Sequence, residues 1–321
     1  MSRTAAASEL SPELSIVIPC FNEAENVRAI TAAVTAEAVR HVASHEIILI
    51  DNGSTDGTRE IIRALCAEDA RVRAIFNNRN YGQMRSPTHG IYQARGRAVI
   101  GMCADFQDPP ALIGEFVRLW RGGAKVVLGQ RRSERTGALL GLARRMGYGF
   151  LARFGDYPVV PDATGFGLFD RAVVDTLKGW NEPEPFFRGM VVESGYTRAL
   201  VPFDRPERAA GETKNGIASL TSFALSGLAG SAKALLRLPI ILSVWAALAA
   251  GIVLIAALWA AFAGGPVWAL LALALAFAMF ATLLLFMGLM GDQIRLLAER
   301  TRNVPLVIEE CRINFPGDPA P

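Results

Sequence analysis

"EIILIDNGSTDGTREIIRALCAE", Glu46 to Glu68, decides how the chain is read. It opens on a short run, "EIILID", that is apolar on both faces, as in a strand covered on both sides. "DNGSTDGT" follows, a set of turn formers and helix-capping side chains, and then a helical pattern from about Thr58 to Glu68. The unit recurs along the first half of the chain. "LSIVIP" precedes a helix from about Glu25 to Val39, "VRAIF" a helix running through Gln93, and "AVIGM" a helix from Pro110 to Arg121, after which comes "KVVLG". Apolar strands separated by helices predict an α/β domain with a doubly wound, mainly parallel sheet. Ligands of such sheets bind beyond the carboxyl ends of the strands. Three polar clusters fall there: "PCFNEAEN", "DNGSTDGT" and "CADFQDPP", after the first, second and fourth strands.

The composition, 51% hydrophobic over 321 residues with a mean hydropathy of +0.29, is too apolar for an ordinary soluble enzyme. The excess is localised. Leu238 to Ala263 gives 26 residues without a charge, and Pro266 to Met290 gives 25 more. At about 1.5 Å per residue the first run makes about 39 Å of helix, enough to cross a hydrocarbon layer of about 30 Å. Two transmembrane helices are expected. Lys233 and Arg237 precede the pair, and Arg295, Arg300 and Arg302 follow it, so both ends are expected in the cytoplasm. "MSRTAAASEL" has no apolar stretch, so no secretory leader is expected and the catalytic domain belongs on the cytoplasmic side of the inner membrane. Cys20, Cys66, Cys103 and Cys311 have no CxxC spacing, as befits reduced thiols. The expected organisation is a disordered N-terminus (1–14), an α/β domain (15–215), an interfacial amphipathic segment (216–237), a membrane hairpin (238–291) and a cytoplasmic C-terminal segment (292–321).

Neither GxGxxG nor GxxxxGK[ST] occurs, so phosphates would be held by metal and cations. Cations are plentiful: between Phe116 and Gly155 stand nine basic residues against one acid, Glu134. Beside apolar helices, that density favours contact with phosphate or anionic lipid. Nucleic acid is not expected, because no aromatic-interleaved basic stripe is present and the net charge is only +3.

"SIVIPCFNEAENV", "DNGSTDGT", "CADFQDPP", "RPERAAGETKN" and the C-terminal apolar pair together resemble the family 2 (GT-A fold) glycosyltransferases that act on polyprenyl phosphates. The resemblance runs from about Ser15 to Glu310. It implies inverting transfer of a sugar from a nucleotide-diphosphate donor to a lipid phosphate, at a membrane, with Mg²⁺ or Mn²⁺ as cofactor and self-association as an open option. By position it implies that Pro19, Asn22 and Glu23 line the nucleotide pocket, with Asp51 and Asn52 beside base and ribose. Asp105 and Gln107 would bind the metal, and Arg131, Arg208 and Lys214 the phosphates. A phosphomonoester acceptor already carries close to two charges near neutral pH, so no general base is required. His89 is therefore expected to pack a helix rather than act on substrate.

Four positions depart from the family pattern: Cys103 for the first Asp of DxD, Asn52 for the second Asp of DDGS, Thr213 for a common Ser, and Gly165 where Asp is frequent. Cys103 is read as a strand-end filler. The Asn52 amide, with one acceptor and a donor group, suits uracil better than guanine, so UDP-sugars are expected over GDP-sugars. Two alternatives stand beside this reading. One is a donor-binding scaffold without activity, suggested by Cys103 and Asn52. The other is a processive polysaccharide synthase, against which the absent QxxRW motif and the small number of apolar helices argue.

Overall fold

A computed structural model of the chain describes residues 11–132, 160, 162–204, 206 and 304–316, with scattered helical positions between 272 and 301. The elements run β1 (Leu14–Cys20), α1 (Val27–His41), β2 (His45–Asp51), α2 (Thr58–Glu68), β3 (Val72–Asn77), α3 (Gly82–Gln93), β4 (Ala98–Gly101), a 3₁₀ turn (Pro110–Leu112), α4 (Ile113–Arg121), β5 (Val126–Arg131), β6 (Ala163–Asp170), α5 (Arg171–Gly179), α6 (Phe187–Glu193), β7 (Arg198–Phe203) and β8 (Glu309–Ile313). All eight strands join one sheet in the order β7-β5-β6-β4-β1-β2-β3-β8. Four pairings are parallel, β1 with β2 and β4, β2 with β3, and β5 with β7. The sheet is thus a mainly parallel, GT-A-like α/β sheet, with antiparallel joints at β4–β6, β5–β6 and β3–β8.

Alternation along β1 explains the double winding. Ile16 and Ile18 join a core with α1, α2 and α4 on one face, while Val17 joins Ile48, Ile50, α3, α5 and α6 on the other. Both faces are sealed, and each fully buried Ile or Val contributes about 1.5–3 kcal/mol. The reversed strand β6 needs small residues. A Cβ on Gly167 would stand 2.6 Å from the Val127 carbonyl oxygen, closer than any real side chain tolerates.

Among the described residues no helix is long and apolar enough to cross a membrane. The expected membrane pair and the interfacial segment lie outside the described residues, apart from scattered positions after 271. The C-terminal segment, for which no strand was expected, supplies β8, which covers the free edge of β3. That sequence offers only five residues, "EECRI", with two acids and a base, and carries no strand pattern of its own. Tertiary pairing makes it a strand.

Side chains fasten β8 to α3. His89 Nε2 meets Glu309 Oε1, Arg312 Nη2 donates to the same oxygen at 2.7 Å, and Arg312 also reaches Gln93. His89 thus anchors a strand as well as packing a helix. Burial pulls the Glu309 pKa upward, but the bonds from His89 and Arg312 outweigh it and hold the carboxyl down at about 2. A depressed carboxyl stabilises the fold above its unfolded pKa, near 4.5, and that contribution is lost as pH falls from there towards 2. Glu309→Gln should cost about 2–3 kcal/mol at pH 7 and flatten the stability profile between pH 4.5 and 2, as read by urea melts. A variant with the wild-type acid limb would show that Glu309 carries no such charge.

Candidate active site at the carboxyl ends of the strands

The loops after β1, β2, β3 and β4 are stitched together by short polar side chains. Asn22 takes a left-handed φ of 54°, which aspartates and asparagines tolerate best. Its N–H donates to Ser54 Oγ at 2.9 Å, and its Oδ1 accepts from the Thr55 N–H at 2.8 Å. Glu23 N–H donates to Thr58 Oγ1 at 2.8 Å, and a Glu23 carboxylate oxygen accepts from Asn26. Pro19 is half-buried one residue before the end of β1. The sequence-derived set Pro19, Asn22, Glu23, Asp51 and Asn52 therefore gathers at one end of the sheet.

Asp51 and Asn52 also hold the loops around them. The Asp51 carboxylate is fully buried and accepts from the backbone N–H groups of Gly53 and Ser54 at 3.2–3.3 Å. Asn52 is likewise buried and its amide is consumed within the protein. Nδ2 donates to Asn80 Oδ1 and the Gly82 carbonyl, and Oδ1 accepts from Asn77 Nδ2 and the Tyr81 N–H. The replacement of an Asp by Asn52 is thus accounted for: the site needs two donors and an acceptor to hold the loop from Asn77 to Gly82. An amide so occupied does not read a base, and the argument for uracil from Asn52 falls. Gly53, at φ 80°, lies against the Arg79–Asn80 backbone, 2.9 Å from where its Cβ would stand, and locks the two loops together.

The loop after β4 folds back on itself. Phe106 adopts φ 60°, uncommon for an aromatic residue, so that Asp105 Oδ1 accepts from the Gln107 N–H at 3.2 Å. Asp108 Oδ2 accepts from the Cys103 N–H at 2.8 Å and closes the loop, and two prolines then start the 3₁₀ turn. Asp105 is 4% exposed. Cys103 is exposed and does not fill the strand end, which is packed by Met102 and Ala104. No group of three His, Cys, Asp or Glu able to hold a metal occurs among the described residues. Asp105 and Gln107 offer hard oxygen donors, which suit Mg²⁺ or Mn²⁺ shared with substrate phosphates.

Arg131 ends β5 at the same end of the sheet, its N–H donating to the Asp162 carbonyl. Arg208, Thr213 and Lys214 lie outside the described residues. The basic run is less available than its density implies. Arg118, Arg121, Lys125 and Arg132 pair with Glu115, Glu13, Asp170 and Asp204. A residue missed by pattern reading is Arg188, whose Nε lies 4.0 Å from the point where a Gly165 Cβ would stand. Gly165 leaves that space beside the β4–β6 ends open. A single cation in the otherwise apolar helix "FFRGMVV" was the available signal.

A family model described as glycosyl transferase family 2 matches residues 15–177. The chain belongs to this family. An uncharacterized glycosyltransferase of Synechocystis is 34% identical over 217 residues, covering 67% of this chain and 68% of that one. A prophage bactoprenol glucosyl transferase homolog of Escherichia coli is 30% identical over 217 residues, covering 67% and 71%. Glucosyl-3-phosphoglycerate synthase from Mycobacterium tuberculosis, solved with Mn²⁺ and UDP, gives a TM-score of 0.48 at 19% identity, covering 70% of this chain and 80% of that one. This family 2 glycosyltransferase therefore carries its polar motifs on interlocked loops rather than on independent side chains.

Proposed function

We propose that this glycosyltransferase transfers a sugar, with inversion, from a nucleotide-diphosphate donor to a polyprenyl phosphate at the cytoplasmic face of the inner membrane. The observation that carries the reading is strand direction. β7 runs parallel to β5, and β8 antiparallel to β3, so the chain leaves the sheet at Phe203 and returns at Glu309 on the end that bears the site loops. An apolar segment between those points that crossed a bilayer would cross it an even number of times and bring the lipid surface to the mouth of the site. The bactoprenol glucosyl transferase names among the relatives agree with a polyprenyl-phosphate acceptor.

Asp105 and Gln107 would hold Mg²⁺ or Mn²⁺, which supplies charge neutralisation to the departing diphosphate. Arg131, with Arg208 and Lys214, would bind donor and acceptor phosphates and align the acceptor oxygen with the anomeric carbon. A UDP-sugar is the preferred donor in this reading. The exposed Asn78 and Asn80 after β3 spend their Oδ1 atoms on the Tyr81 hydroxyl, Asn52 Nδ2 and the Gly82 N–H, which leaves their NH₂ groups as the donors offered to base carbonyls, while Asp51 is buried and occupied. Amides suit uracil, and guanine asks for a carboxylate.

Purified full-length protein in detergent, given polyprenyl phosphate, Mg²⁺ and a panel of labelled UDP- and GDP-sugars, should form a labelled lipid with at least one UDP-sugar. Absence of labelled lipid with every donor, despite nucleotide binding, would favour the scaffold alternative. Transfer from GDP-sugars alone would overturn the base preference, and a growing polymer would point to a processive synthase.

A further inference from the structure

Strand β8 reaches the site loops through one side chain. Glu310 follows the clamped Glu309 at the bulge opposite Phe76 and Asn77, and meets α2 where Glu309 meets α3. Its Oε2 stands 2.7 Å from Arg59 Nη2. The same guanidinium places its Nε 3.4 Å from Asp51 Oδ2 and lies over the Phe76 ring, 5.1 Å from its centroid. Arg59 is the second residue of α2, and Asp51 is the last of β2. Three charges thus alternate in sign from surface to interior: Glu310 is 48% exposed at its side chain, Arg59 25% and Asp51 0%. A fully desolvated carboxylate needs a cation, and Arg59 is the one ion-paired with Asp51 among the described residues. Asp51 in turn accepts from the N–H groups of Gly53 and Ser54, at the head of the turn.

We propose that Arg59 and Glu310 are positioning residues of the donor site. Glu310 fixes the Arg59 guanidinium, Arg59 fixes Asp51, and Asp51 sets the turn from Asn52 to Gly57 that the donor nucleotide meets. The inference rests on the reading of these loops as a nucleotide-sugar site. It gives a residue encoded beyond the apolar segment a part in donor affinity.

The test is calorimetric titration of full-length protein in detergent with UDP and with GDP, each with Mg²⁺. Wild type is compared with Glu310→Ala, Arg59→Ala, Arg59→Lys, the Arg59→Ala/Glu310→Ala double variant and Glu68→Ala. Glu68, at the far end of α2 from Arg59, pairs with Arg28 of α1 at 2.9–3.0 Å, so its variant controls for the loss of an exposed ion pair. Glu310→Ala should weaken the preferred nucleotide about fivefold and Arg59→Ala about tenfold, with the double variant no weaker than Arg59→Ala. Arg59→Lys, which keeps the charge without the fork, should fall between wild type and Arg59→Ala. Glu68→Ala should bind as wild type does. In transfer assays donor KM should rise by the same factors with kcat within about twofold, whereas a loss of folded protein would lower kcat alone. Wild-type affinity in Glu310→Ala, or single losses that multiply in the double variant, would overturn the proposal while leaving the site reading intact. Failure of wild type to bind either nucleotide would overturn the site reading and this inference with it.

Discussion

Replacing Asp105 by Asn should lower the rate of sugar transfer by about two to three orders of magnitude with donor and acceptor saturating. The substitution keeps size and one hydrogen-bond acceptor for the Gln107 N–H, so the loop retains its shape. What disappears is the charge at a site 4% exposed, where in the proposed reading it would act on a metal–diphosphate with little screening by water. Cys103→Ala should stay within about twofold of wild type, because the thiol is exposed and the loop is closed by the Cys103 backbone N–H, which alanine keeps. Cys103→Asp should be tolerated or tighten Mg²⁺. Single-turnover transfer with labelled donor reads all three. A rate for Asp105→Asn within tenfold of wild type would remove this residue from the chemistry, and equal losses at both positions would make Cys103 a working ligand.

Ending the chain before Val304, with the apolar segment intact, should leave a domain that does not fold stably. Val307 and Phe315 are buried and Ile313 is packed on the core, so their loss removes about 5 kcal/mol of burial. That is comparable with the whole stability of many domains, about 5–15 kcal/mol. The truncation also bares the β3 edge and removes the β8 carboxylates that pair with His89 and Arg59. Thermal melts and limited proteolysis should show the loss, and melting within a few degrees of wild type would mean that β8 is dispensable. The same reasoning changes how the membrane segment has to be tested. A chain ended after Lys233 loses β8 together with the apolar runs, so its failure says nothing about the acceptor. Replacing residues 234–303 by a flexible linker keeps β8. That protein should bind nucleotide and transfer poorly to long-chain lipid.

The central units were legible because each carries its whole signal locally. "LSIVIP", "EIILID" and "VRAIF" became β1 to β3, and the helix expected from Thr58 to Glu68 is α2. The apolar runs needed no partner to be recognised, since burial on both faces leaves an unbroken stretch. β8 was not legible. Its two glutamates and arginine are explained only by His89, Arg59 and Gln93, which lie more than 200 residues earlier. The site followed the same division. That three polar clusters gather at the strand ends could be read from the order of strands and helices, but what Asn52 does could not, because its four partners at Asn77, Asn80, Tyr81 and Gly82 are set by the fold. The basic run misled for a related reason: charge density is visible in sequence, whereas the pairing of Arg121 with Glu13 is not.

The pairing of β3 with β8 also sets an order of events during synthesis. Asn314 bonds the carbonyl of Val72, 242 residues earlier. At about 5–20 residues per second, the ribosome takes about 12 to 48 seconds to make that stretch. Throughout that interval β3 is an open edge on a half-made sheet, and the apolar runs emerge before the strand that closes it. The catalytic domain is therefore finished only after those runs have left the ribosome, and a nascent chain stalled before residue 309 carries a strand edge exposed to its neighbours.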